Sequence, residues 1–145
     1  MAFRFPLAAV LLIRQHAEER EERALKKIQL AISRVRREME VIDAEIATAQ
    51  QAREQALQQP TPAFEIHESQ RQIEGATERK HLLLEQLEEH TRELLQQLKI
   101  YQAAHRDREA LTDMLEKQRE VYDREQARAT QKQLDDLFMA RRHRS

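Results

Sequence analysis

The residues that break helices are confined to a few places in this chain, and that confinement leaves few folds open. Its prolines are Pro6, Pro60 and Pro62, and its one glycine is Gly75. A proline ring removes a backbone donor and clashes with the preceding turn, so helix interiors exclude it while a first helical turn accepts it. Pro6 therefore marks a helix start, and no breaker follows until Pro60. A helix of about 50 residues fits between them, about 75 Å long at the standard rise. Pro60-Thr61-Pro62 forces a turn, because the residue before each proline is driven out of the α region. Beyond it only Gly75 opposes a second helix, at about 1 kcal/mol relative to alanine. The breakers predict helix one over about 6–58, a turn over about 59–63 and helix two over about 64–142, together one coiled-coil domain over residues 1–145.

Composition agrees with long helices. Charged residues make up 35% and aromatics 4%, so strand formers are scarce while good helix formers abound. That much charge leaves apolar material for one narrow seam and not for a thick core. The seam is visible in helix one, where Leu25, Ile28, Ile32, Val35, Met39, Ile42, Ile46 and Ala49 follow an unbroken 3-4 alternation. A sustained 3.5-residue period is the signature of a left-handed coiled coil. Traced backwards, the same register meets Glu21, Glu18 and Arg14 before Leu11 and Leu7, which predicts a loosely packed charged interruption. In helix two the seam is read as Leu84, Leu87, Leu94, Leu98, Tyr101, Leu111, Leu115 and Tyr122, with Thr91, His105 and Arg108 among them and a register slip between Tyr101 and Leu111. The predicted fold is all-α, an antiparallel two-helix coiled-coil hairpin with a longer C-terminal arm. With the fold at Thr61, Leu25 lies near residue 97 and Leu7 near residue 115, which leaves the chain after about residue 120 without an internal partner. That overhang carries Val121, Leu134, Leu137, Phe138 and Met139, and an amphipathic helix lacking an internal partner invites an external one, a second copy included.

Other functions find little support. A Gly-rich phosphate loop is absent from the sequence, as is His-Glu-x-x-His. Glu78 and His81 form a single Glu-x-x-His pair, whereas a di-iron bundle needs two such pairs and two further glutamates on four helices. No serine sits in a nucleophile elbow, and a two-helix rod offers no concavity in which to desolvate a reacting group, so no enzymatic activity and no cofactor or metal are expected. Net charge is −1 with 25 basic and 26 acidic residues interspersed, which gives no field for nucleic acid or anionic lipid. The basic end, Arg141, Arg142, His143 and Arg144, suits a helix C-terminus. Pairs such as Glu19–Arg23, Glu22–Lys26 and Glu120–Arg124 read as i, i+4 helix support. Cysteine is absent, which fits a cytoplasmic protein. The apolar run Leu7 to Ile13 is short for a signal peptide, and no stretch reaches the length of a membrane span.

Two stretches go beyond a generic coiled coil. Residues 3–14 read FRFPLAAVLLIR and lead into a Glu-rich run to Arg23. Residues 108–136 read REALTDMLEKQREVYDREQARATQKQLDD, with one block at Glu116, Lys117, Arg119 and Glu120 and another at Gln131, Lys132, Asp135 and Asp136. The first resembles the opening of the flagellar export protein FliJ family, and the second resembles that family's C-terminal helix. The resemblance implies a non-enzymatic, cytoplasmic chaperone of flagellar type III export, peripheral at the inner-membrane export apparatus. It implies a coiled coil similar to the stalk of rotary ATPases, which binds the hexameric export ATPase, promotes its assembly and activity, and contacts the cytoplasmic domain of the export gate membrane protein. Other export chaperones are further partners on this reading, while nucleic acid and small-molecule substrates are not.

In a stalk arrangement the exposed seam from about residue 115 onward would face the ring, which nominates Leu115, Tyr122, Leu134, Leu137 and Phe138 for the ATPase. In the family that this chain resembles, the export-gate contact falls nearer the hairpin tip, where this chain reads QRQIEGATERK, so the resemblance carries over Ile73 and Phe64. Two other readings stay open: the equivalent stalk protein of a virulence-type secretion system, and a structural coiled-coil scaffold with no ATPase partner.

Overall fold

The structure is a computed structural model and describes residues 2–144, so Met1 and Ser145, the ends of the expected domain, lie outside it. Two helices account for nearly all of it, α1 (Ala8–Leu57, 50 residues) and α2 (Ala63–Arg144, 82 residues). They pack against each other as an antiparallel two-helix coiled-coil hairpin with the longer arm at the C-terminus, and no strand occurs among the described residues.

The turn does what its prolines demand. The last turn of α1 tightens, with the Gln58 and Gln59 amides donating to the Gln55 and Ala56 carbonyls. The Thr61 hydroxyl stands within hydrogen-bond reach of the Ala56 carbonyl and 3.0 Å from that of Gln59. It thereby satisfies helix-end acceptors that would otherwise be orphaned. Glu65 lies in the first turn of α2, where a carboxylate complements the helix dipole.

The chain divides into two compact units, Glu21–Ile100 and Met1–Arg20 with Tyr101–Ser145. In Glu21–Ile100 the core consists of Val35, Ile42, Ala76 and Leu83, with Met39, Ile46 and Leu87 packed against it. Every buried or half-buried seam position of α1 from Glu21 to Ala56 keeps the 3-4 alternation. The facing seam of α2 runs Ile66, Ser69, Ile73, Ala76, Lys80, Leu83, Leu87, His90, Leu94 and Gln97, also without a break. Cross-helix pairs Arg53–Gln70 (2.5 Å), Glu45–Arg79 (2.8 Å) and Asp43–Lys80 (2.7 Å) bracket Thr61 almost symmetrically and fix the alignment.

Within Glu21–Ile100 the α2 seam differs from the sequence expectation at three places, one of them Thr91, which is exposed while His90 takes the seam position. Leu84 and Leu98 sit on its flank, each 37% exposed, while Leu83 (9% exposed) and Gln97 take the seam positions. Gln97 pays for its place there by donating Nε2 to both the Glu21 carbonyl (3.1 Å) and the Glu21 carboxylate (2.7 Å). Hydrophobicity alone does not locate this seam, because its alternation is completed by a lysine, a histidine and a glutamine.

Gly75 lies on the outer surface of α2 beside the deeply buried Ala76, and a Cβ there would meet nothing within 4 Å. Gly75→Ala is therefore expected to stabilise Glu21–Ile100 by about 0.5–1 kcal/mol, through lost backbone freedom in the unfolded chain. A rise in the melting temperature by circular dichroism checks it, and a fall would mean that the glycine is required by something the packing does not show.

Candidate functional site

In the unit Met1–Arg20 with Tyr101–Ser145, Leu7, Leu11 and Glu18 of the N-terminal segment and α1 keep the seam spacing, as do Tyr101, Ala104, Arg108, Leu111, Leu115 and Tyr122 of α2. The expected slip between Tyr101 and Leu111 does not occur, because Ala104 and Arg108 carry the alternation between them. The expected loose charged interruption is not loose either. Glu18 retains only 15% side-chain exposure and is gripped by Arg108, with Nε 2.5 Å from one carboxylate oxygen and Nη2 3.4 Å from the other. His105 Nδ1 lies 3.0 Å from Glu18, and the His105 ring stacks on Tyr101 at 6.0 Å. The Arg108 hydrogen bond is the main reason that the Glu18 carboxyl is held below its ordinary range; burial opposes it and His105 assists. The same bond raises Arg108 further above the physiological range. Arg14, the remaining charge of the interruption, is exposed and reaches Asp107 at 3.3 Å.

Residues before α1 extend the packed surface. The Ala8 amide donates to the Phe5 carbonyl, which turns the chain at Pro6, and Phe5 itself is buried. An extended residue spans about twice the length of a helical one, so a few N-terminal residues cover several turns of a facing helix. Phe3 thereby meets Tyr122 at 5.4 Å between ring centroids, and the Arg119 guanidinium stands 5.1 Å over the Phe3 ring. Leu115 lines the same depression beside Phe3. Leu115 and Tyr122, nominated for an external partner, are thus half-buried within the chain.

Beyond Tyr122 every described residue of α2 is exposed, including Leu134 (56%), Leu137 (63%), Phe138 (67%) and Met139 (56%). These do not continue the hairpin seam as a single stripe. The seam register next falls on Glu125, Ala129, Lys132, Asp136 and Met139, whereas Leu134 and Leu137 stand five and one positions after seam positions. At 100° per residue that puts Leu134 and Leu137 on the opposite face of α2. The nominated ATPase residues therefore do not share one face: Leu115 and Tyr122 lie on the seam, Leu134 and Leu137 lie away from it, and exposed Met139 returns to it.

At the hairpin turn, Phe64 is 75% exposed beside an open depression lined also by His67, Glu68, Gln70, Arg71 and Glu74. Ile73, its expected companion, is half-buried at a seam position. Among the described residues no group of three or more His, Asp or Glu side chains is placed to hold a metal ion, and Glu78 and His81 are both exposed. No helix of the described chain is long and apolar enough to cross a membrane.

No curated protein and no solved structure matches this chain. A family model described as the flagellar FliJ protein matches residues 3–145, nearly the whole length, and so takes in both sequence blocks and the hairpin. On that match the chain belongs to the FliJ family of flagellar proteins.

Proposed function

We propose that this chain is a non-enzymatic, stalk-like coiled coil that binds the hexameric flagellar export ATPase, promotes its assembly and activity, and contacts the cytoplasmic domain of the export gate. Membership of the FliJ family implies a component of flagellar type III export, structural or chaperone-like in kind. The named partners go further than that. The observation that carries them is the exposed end of α2, where Leu134, Leu137 and Phe138 stand in open solvent past Tyr122, after which every described residue is exposed. An apolar helix face of this kind gains free energy only by docking on a partner. Leu115 and Tyr122, on the seam side of α2 and half covered by Phe3, enter the proposal as a separate contact for the same partner. At the other end, exposed Phe64 supports a gate contact and the seam position of Ile73 weakens its share. The chain would work as one coiled-coil domain, held peripherally at the membrane by these partners and in contact there with other export chaperones.

The test is the ATP hydrolysis rate of the cognate export ATPase with the full chain and with a version ending at Asp123, which keeps the Phe3–Tyr122 contact. Stimulation on the order of several-fold by the full chain, lost in the shortened one, is the expected result. Equal stimulation by both would move the contact onto the paired helices. No stimulation and no co-elution would bring the scaffold reading forward.

A further inference from the structure

The overhang of α2 carries a second heptad stripe that the hairpin does not use. It begins acidic, with Glu120 and Asp123, passes through Ala127, Thr130, Leu134 and Leu137, and ends basic, with Arg141 and Arg144. All of these residues are exposed, and successive members alternate by three and four. Each stands one or five positions after a seam position, so the stripe lies about 150° round the helix from the seam; Glu120 at its start also borders the depression beside Phe3.

We propose that this stripe is the interface of an antiparallel homodimer, in which the overhangs of two copies pair about a two-fold axis. The argument is charge complementarity in a fixed register. In an antiparallel coiled coil the two heptad positions of one helix face each other's counterparts on the next, which restricts the alignment to steps of one heptad. One alignment places Asp123 against Arg141 and Glu120 against Arg144 of the other copy. The same alignment places Ala127 against Leu137 and Thr130 against Leu134. Because the pairing is isologous, each contact occurs twice. A shift of one heptad in one direction sets Glu120 against Leu137 and Asp123 against Leu134. A shift in the other sets Arg141 against Thr130 and Arg144 against Ala127. The first shift sets both acids on leucines, although Glu116 and Asp113 then meet the arginines; the second pairs Leu134 with Leu137 but leaves Glu120 and Asp123 outside the overlap. The unshifted register alone sets Glu120 and Asp123 on arginines and both leucines on uncharged residues. Asp123 also lies 3.6 Å from Arg119, in a pair about 60% exposed that an interhelical partner readily supplements. Phe138 flanks the stripe and would be partly covered by the dimer.

The interface is short, which places the dimer in the weak, reversible class. It occupies Leu134 and Leu137, so a free chain would bury by self-pairing the surface assigned above to the ATPase. The inference does not depend on that assignment.

Sedimentation equilibrium of the full chain alone tests it, across a concentration series and with helicity of every variant checked by circular dichroism. The expected result is a reversible monomer–dimer equilibrium. Asp123→Arg and Arg141→Asp, both at exposed positions, should each weaken it on the order of tenfold, since each places like charges together twice. The double substitution should restore it. A chain that stays monomeric at every concentration overturns the proposal. So does a dimer indifferent to both reversals, or a double variant no better than either single one. No export ATPase enters the measurement, so its failure leaves the stalk reading untouched.

Discussion

Val35→Asp is expected to unfold the unit Glu21–Ile100 at temperatures where the parent chain is fully helical. Val35 is 5% exposed and sits in the core with Ile42, Ala76 and Leu83, with Leu87 of α2 packed on that cluster. Val35 is nearly closed to solvent among apolar side chains, so a carboxylate there is stripped of most of its hydration. The position differs from Ile32 or Ile42, whose neighbours along the alignment, His90 and Lys80, offer a new aspartate a partner. An uncompensated charge in such a site costs about 3–5 kcal/mol. For a small domain that is a large part of the total stability and lowers the melting temperature by about 15–30 °C. Val35→Ala removes the same contacts without the charge and should cost about 1–3 kcal/mol. Circular dichroism at the helix band, followed through heating, reads both. Equal melting of Val35→Asp and the parent would mean that the two helices do not rely on this seam.

The fold was legible in the sequence because the breakers and the α1 repeat point the same way. Pro60-Thr61-Pro62 admits a turn and little else, and Leu25 to Ala49 admits one buried face. The α2 repeat was legible only in part. Its apolar residues are leucines at both seam and flank, so hydrophobicity alone could not choose Leu83 over Leu84 or Gln97 over Leu98. The period could: stepping by three and four from Ile66 passes through Lys80, His90, Gln97 and Arg108, residues that an apolar count discards. The N-terminal arm was missed for a different reason. Phe3 and Phe5 precede the helix, carry no period, and reach Tyr122 only because an extended chain outruns a helical one.

The candidate surfaces divide along the same line. The exposed end of α2 follows from unequal helix lengths, which the prolines dictate. The face it presents does not follow from the hairpin register, since Leu134 and Leu137 lie opposite the seam while Met139 lies on it. Family membership gives this chain a place in flagellar export.

The Glu18–Arg108 layer yields the second large effect, and its sign depends on what is removed. Arg108→Ala leaves the Glu18 carboxylate, 15% exposed, facing an apolar seam with His105 as its remaining close partner. The cost should be on the order of 2 kcal/mol, between that of an exposed pair and that of a fully buried one. Replacing both residues by leucine removes the charge together with its partner, and the double variant should be at least as stable as the parent. The layer then reads as a device for alignment: a slip of one heptad would face Glu18 with Leu111 or with neutral residues, and the charge forbids it, whereas the leucine pair would not. Acid tests the same layer. The carboxyl of Glu18 is held low in the folded chain, chiefly by Arg108, so its contribution is complete above the ordinary glutamate range and is lost as pH falls through the folded value. Arg108 keeps its proton throughout and adds no dependence of its own. The parent should therefore lose helix stability on acidification below about pH 4.3, and the double leucine variant should lose less. Melting curves of the three proteins at neutral and acid pH decide it: a double variant as unstable as Arg108→Ala would show that the polar layer stabilises the hairpin in its own right.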